Sequence, residues 1–329
     1  MSLIFRTIFD SRTPRARRVA SAAVAGMIGW AMGHSAAVRA VILASDNAAN
    51  TAYSGGTWSG TSNGGTGFSQ WFQGPTGSGV NQAATWGFTT QTASTVFGTY
   101  VTPNIDTNGV SWSMGAYNGT SSDPAAPYAY RGLNTPLQIG QTLQLSMATG
   151  YMSNPGQEGF QIQNYNATTG YGTPLFQIAA AGSGSYYAIS YGGYTSPTTG
   201  FAYSALTGIA SAHTGVTTPN NGNGITVAFT LESPTSFNLT ITPLADPSAA
   251  ETFTNLTLTD LPVNQLFLYN DNLGLTSQYA YFNNLEVTAT PEPAPAAMLL
   301  GGVAMLALIR RRKIGAKAAL FGRGKIQGT

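Results

Sequence analysis

The stretch GITVAFTLE, Gly224 to Glu232, sets Ile225, Val227, Phe229 and Leu231 at every second position, with Thr and Ala between them. A period of two puts all four apolar side chains on one side of an extended strand. The next stretch, SFNLTITPL, repeats the pattern with Phe237, Leu239 and Ile241. QLFLYN (Gln265 to Asn270) and QYAYFNNLEV (Gln278 to Val287) read the same way, as do ATWGFTT, STVFGTY, SWSMGAY, QTLQLSMATG, GFQIQNYN and PLFQIAAAG upstream. Clusters of Gly, Asn, Pro and Ser such as SNPGQEG and TPNNGNG separate them. No ten-residue stretch between Ser45 and Ala289 has a helical period. Many short strands without helices close their hydrophobic faces as a sandwich or barrel, and about 245 residues suits one such domain.

Charge is scarce and unevenly placed. Asp, Glu, Lys and Arg make up 8% of the 329 residues, against about 25% in an ordinary soluble protein. Between Ser45 and Thr290 there is one basic residue, Arg131, against ten acids, a net of −9. The remaining thirteen basic residues lie at the two ends with two acids, a net of +11. A body of −9 excludes nucleic acid, whose phosphates demand a positive surface. The chain has no cysteine, so disulfides and thiolate metal sites are excluded.

Both ends carry export features. Arg6, Arg12, Arg15, Arg17 and Arg18 precede the apolar run Val19 to Met32, and small residues follow at Val38-Arg39-Ala40 and Ile42-Leu43-Ala44. This is the layout of a signal peptide over residues 1–44, with an uncleaved N-terminal anchor as the competing reading. At the other end, TPEPAPAAMLLGGVAMLALIRRRK holds three alternating prolines, an apolar run over 294–309 and then Arg310, Arg311, Arg312 and Lys313. The run is shorter than the roughly 20 residues of a standard span, but a basic cluster at its end stops transfer and fixes that side in the cytoplasm. A transmembrane helix is expected over 294–309, with a basic cytoplasmic tail over 314–329. Pro291, Pro293 and Pro295 keep the segment before it extended and open to a processing enzyme.

Over about 24 residues this ending resembles the PEP-CTERM sorting signal of Gram-negative bacteria. The resemblance implies recognition by an exosortase, a membrane enzyme related to cysteine transpeptidases. It makes Pro291, Glu292 and Pro293 the recognition residues and links the protein to exopolysaccharide. The sixteen residues after Lys313 depart from that pattern. Ser45 to Trp71, FNLTITPL and YNDNLGLTSQYAYFNNLEV resemble the opening and closing segments of ectodomains carried with such signals. Those ectodomains look like concanavalin A-like jelly rolls. An all-β jelly-roll sandwich over 45–289 is therefore expected, flanked by the signal helix and the membrane helix.

The body offers little catalytic chemistry to a linear reading. His213 is its single histidine, in a Gly-rich loop. Glycoside hydrolysis needs two carboxylates about 5–10 Å apart, and no string of the Glu-x-Asp-x-x-Glu kind that the fold's glucanases carry is present. Calcium is the cofactor left open: Asp46, Asn47 and Asp271 supply hard oxygens, though the same residue types also favour tight turns. Trp112, Tyr186, Tyr187, Tyr191 and Tyr194 are the candidates for stacking a glycan, with burial in the core as the competing fate. The expectation is an exported, non-enzymatic surface or matrix protein that contacts exopolysaccharide. A glycoside hydrolase of the same fold and a protein-binding adhesin are the alternatives.

Overall fold

Period two becomes two differently solvated faces. In the strand Ile225–Ser233 the residues Ile225, Val227, Phe229 and Leu231 are buried, while Thr226, Ala228 and Thr230 between them stay half-exposed. The structure is a computed structural model. It describes residues 40–76, 84–91, 105–118, 126–149, 156–168, 171–181, 186–191, 204–210, 224–244, 246–271, 278–290 and 306. Its strands in chain order are β1 (Val41–Asp46), β2 (Phe72–Thr76), β3 (Ala84–Gln91), β4 (Ser111–Asn118), β5 (Ala126–Gly132), β6 (Gln141–Thr149), β7 (Gln157–Asn166) and β8 (Tyr171–Ala181). They continue with β9 (Tyr186–Tyr191), β10 (Ser204–Ala210), β11 (Ile225–Ser233), β12 (Ser236–Pro243), β13 (Glu251–Thr257), β14 (Gln265–Asp271) and β15 (Gln278–Ala289).

The strands form two antiparallel sheets, as the sandwich reading expects. One has eight strands, in the order β13-β12-β11-β6-β15-β4-β3 with β1 added on β15. The other has seven, in the order β10-β9-β8-β7-β14-β5-β2. Their inner faces share one core. Phe176 of β8 meets Phe229 of β11 at 5.8 Å and Phe237 of β12 at 5.7 Å, which joins the two sheets through aromatic contacts. Val41–Ala289 is one compact unit. The signal segment and the expected membrane helix at 294–309 lie outside the described residues. Among the described residues no helix is long and apolar enough to cross a membrane.

Strand β15 changes partner along one edge. Gln278–Phe282 pairs with β4, and Leu285–Ala289 pairs with β1, while β6 follows its other edge. The change-over falls at Asn283 and Asn284. Asn284 has φ of 53°, the left-handed region that Asn tolerates better than most residues. The buried Asn283 amide donates to the carbonyls of Ile105 (3.0 Å) and Val110 (2.9 Å) and accepts the N–H of Ala48 (2.9 Å). Strand β1 runs through the signal-peptide boundary placed at Ala44. Ala44 is buried, and a Cβ added at Gly67 would lie 2.3 Å from its methyl group.

One polar knot is enclosed near the start of the body. Arg131, on β5, is fully buried and ion-paired with Asp46 at the end of β1. Its Nε and Nη2 donate to the Ser69 carbonyl at 3.0 and 2.6 Å, and its guanidinium lies 4.8 Å from the Phe68 ring and 4.9 Å from the Trp71 ring. The Tyr53 hydroxyl donates to Asp46 and accepts from Trp71 Nε1 at 2.9 Å. Trp58, Trp71 and Trp112 pack around it with ring centroids 5.1 to 6.0 Å apart. Removing one partner of a buried pair strands the other charge. Arg131→Met and Asp46→Asn are each expected to cost about 3–5 kcal/mol in denaturant unfolding, and the double variant less than their sum.

Candidate functional site

Because Arg131 and Ala129 of β5 point inward, Tyr128 and Tyr130 must point outward. The same alternation turns Phe267 and Tyr269 of β14 outward, opposite Leu266 and Leu268 in the core. Pairing register then lines up Phe72, Tyr130, Phe267, Gln161, Gln177 and Ser190 across six strands. At about 4.8 Å per strand this row spans about 24 Å. Beside it run Gly74, Tyr128, Tyr269, Gly159, Ala179 and Ala188.

The first half of this face is aromatic. Phe72 and Tyr130 stack at 4.7 Å, Tyr128 and Phe267 at 5.4 Å, and Tyr130 and Tyr165 at 6.5 Å, with interplanar angles of 17° to 26°. Phe72 is 48% exposed on the edge strand, unusual for a Phe that serves only the core. The second half is amide-lined. Gln163 Nε2 donates to Gln161 Oε1, Gln161 Nε2 to Gln177 Oε1 at 3.0 Å, and Gln177 Nε2 to the Tyr269 phenol oxygen. Three amides thus point their dipoles one way and end on a phenol, and such chains polarise cooperatively. Gly159 makes this arrangement fit: a Cβ there would sit 2.9 Å from the Tyr269 hydroxyl. Gly159, Ala179 and Ala188 are the small residues paired in register beside the amides. Asp271 closes β14 on the same outward parity, opposite Gln157. Partial withdrawal from water raises its carboxyl above the ordinary aspartate value.

The residues proposed from sequence are distributed differently. Trp112 is 0% exposed and packs edge-on against Tyr53 at 5.5 Å, so it belongs to the core and is closed to a ligand. Tyr187 is also fully buried, and burial pushes its phenol well up. Both sit on the inward parity of their strands. Tyr191 is 38% exposed, but its ring packs edge-on against the core Phe237 at 5.8 Å. Tyr186 opens β9 with its side chain outside the described residues, and Tyr194, His213, Pro291, Glu292, Pro293 and Arg310 to Lys313 also lie outside them.

The calcium candidates are not brought together. Asp46 spends one carboxylate oxygen on Tyr53 and Arg131 and the other on the Asn47 N–H. Burial raises its carboxyl, while the Tyr53 hydrogen bond and the Arg131 charge pull it down. Asn47 caps a turn, accepting the Ala49 N–H at 3.0 Å, and Asp271 belongs to the other sheet. Among the described residues no three His, Asp or Glu side chains converge on a metal position.

The residues a linear reading missed are Phe72, Tyr128, Tyr130, Phe267, Tyr269, Gln161, Gln163 and Gln177. The available signal was aromatic rings on the solvent parity of QLFLYN and of PYAYRG.

No family profile matches the chain, and no curated protein matches its sequence. Solved structures do resemble it in fold. The endo-β-1,4-glucuronan lyase of the fungus Trichoderma reesei is similar at 14% identity, covering 64% of this chain and 89% of that one, with a TM-score of 0.39. The laminarinase catalytic domain of Thermotoga maritima MSB8 is similar at 12% identity over 59% and 83% of the two chains, TM-score 0.39. Alginate lyase A1-II′, a member of polysaccharide lyase family 7, is similar at 16% identity over 59% and 86%, TM-score 0.34. At these identities the likeness is one of fold. The expectation of a non-catalytic protein is corrected against these neighbours, whose names are those of enzymes acting on polysaccharide.

Asp271 offers a direct check on the electrostatics of the face. Its raised folded value means the folded state holds the proton more tightly than the unfolded chain. Its favourable contribution is complete below the ordinary aspartate value and is lost as pH rises through the raised one. Asp271→Asn is therefore expected to gain stability relative to the natural protein as pH climbs through that window, measured by thermal unfolding across pH 3 to 7 (about the carboxylate range).

Proposed function

We propose that this protein is an exported enzyme that cleaves polysaccharide on the outward face of its seven-stranded sheet. The observation that carries the proposal is the pairing of a stacked, partly exposed aromatic half with a hydrogen-bonded amide half on one face. Ring faces take the C–H side of a sugar, and amides and phenols take its hydroxyls as both donors and acceptors. Asp271 is the proton donor: a carboxyl raised above its usual value keeps its proton nearer to working pH. Tyr269, two residues earlier on the same face, is the partner. Its oxygen accepts from Gln177, which fixes the phenol on this face, and tyrosine serves as nucleophile in some glycosidases.

The test is release of new reducing ends from a panel of neutral and acidic glycans by the purified full-length protein. Cleavage is expected, falling by about 10²–10⁴-fold in Asp271→Asn and Tyr269→Phe, with neither variant less stable to unfolding than the natural protein. A folded protein that releases no ends from any polymer overturns the reading.

The sorting reading is supported by the order of features at the end of the chain: Pro-Glu-Pro, an apolar run, then four basic residues. Under this proposal an exosortase-type enzyme recognises Pro291, Glu292 and Pro293, and the enzyme body is delivered to the cell surface. Replacing those three residues together by Ala is expected to leave unprocessed protein in the membrane fraction of the producing cells. Unchanged processing and release would refute it.

A further inference from the structure

We infer, building on the glycan-cleaving reading, that the polymer taken by this face is uncharged: a neutral hexose polymer, and not a polyuronate or a sulfated glycan. The seven strands behind the face carry three charged residues in all, Arg131, Glu158 and Asp271. Arg131 points inward and is held by Asp46, Ser69 and the Phe68 and Trp71 rings, so its guanidinium is closed to a ligand. Glu158 is buried on the inner side. The charge left on the outward side is Asp271, which is negative.

A polyuronate carries a carboxylate on every sugar, and proteins grip such groups with Arg forks or Lys ammonium groups. None can come from elsewhere in the body. Between Ser45 and Thr290 the sequence holds no lysine and no second arginine, so apart from the His213 imidazole no loop of that stretch has a cationic side chain to bring to this face. The same stretch carries a net charge of −9, and repulsion from it reaches about 8–10 Å at ordinary salt. What the face presents instead is neutral and two-way: the amide of Gln161, backed by the buried Gln163 and Gln177, and the hydroxyls of Tyr130 and Tyr269, beside bare rings. That set matches sugar hydroxyls and C–H faces and offers a carboxylate neutral donors but no countercharge.

Affinity electrophoresis of the purified full-length protein tests this. It is run through gels containing laminarin, galactomannan or hydroxyethylcellulose, and separately alginate or polygalacturonate, at low and moderate salt, with and without calcium. Retardation by at least one neutral polymer is expected, with affinity about tenfold lower in Tyr130→Ala and Gln161→Ala of unchanged unfolding midpoint. No retardation by either polyuronate is expected under any of the conditions. Retardation by a polyuronate, whether strengthened by lower salt or by calcium, overturns this inference and leaves the cleaving reading in place. Retardation by no polymer, together with no release of reducing ends, overturns both.

Discussion

The ion pair between Asp46 and Arg131 sets the handedness of everything on β5. A buried pair of this kind contributes little net stability compared with well-packed apolar residues. Its effect here is on register. A slip of one residue would turn Arg131 outward and Tyr128 and Tyr130 inward, leaving Asp46 buried without its cation and the ring face without its centre. The body has a single cation to place, and it is placed where it forbids that slip. The pair also ties β1 at the start of the body to β5 and, through Tyr53, Ser69 and Trp71, to the irregular stretch between β1 and β2.

The face that results is assembled from residues far apart in the chain. Phe72, Tyr130, Gln161, Gln177 and Phe267 meet only because β2, β5, β14, β7 and β8 are neighbours in that spatial order. This explains which parts were legible in the sequence. Alternation in β11, β12 and β15 reports burial directly, so strands and sandwich could be read. Partner strands leave no local trace, so a site made of one or two residues per strand could not. Searching for acids close together in sequence failed for the same reason, since Asp271 shares its face with glutamines from β7 and β8.

Two misreadings have a common cause. Trp112 and Tyr187 were candidates because large aromatics suit both a core and a sugar site, and composition cannot separate the two. Their strands' parity decides, and it turns both inward. Asp46 and Asn47 looked like metal ligands in a turn; Asn47 does make the turn, while Asp46 has its lone pairs committed to Arg131, Tyr53 and the backbone. In QLFLYN the reverse holds: rings sit on the solvent parity, where an ordinary half-buried strand would carry Thr or Ser.

The partner change of β15 bears on how such a chain comes to be folded at all. β14 and β15 are the last two strands of the body, and neither is an edge. β14 lies between β7 and β5, and β15 lies between β6 and the pair β4 and β1. Until they arrive, each sheet is split down its middle, and the Asn283 clamp over the 105–110 turn has no amide to close it. A chain emerging N-terminus first can therefore build hairpins such as β7–β8 and β11–β12 early but neither sheet. Long-range pairing of this kind is slow. The domain stays open, and so threadable through a narrow export channel, until almost its final residue has been delivered.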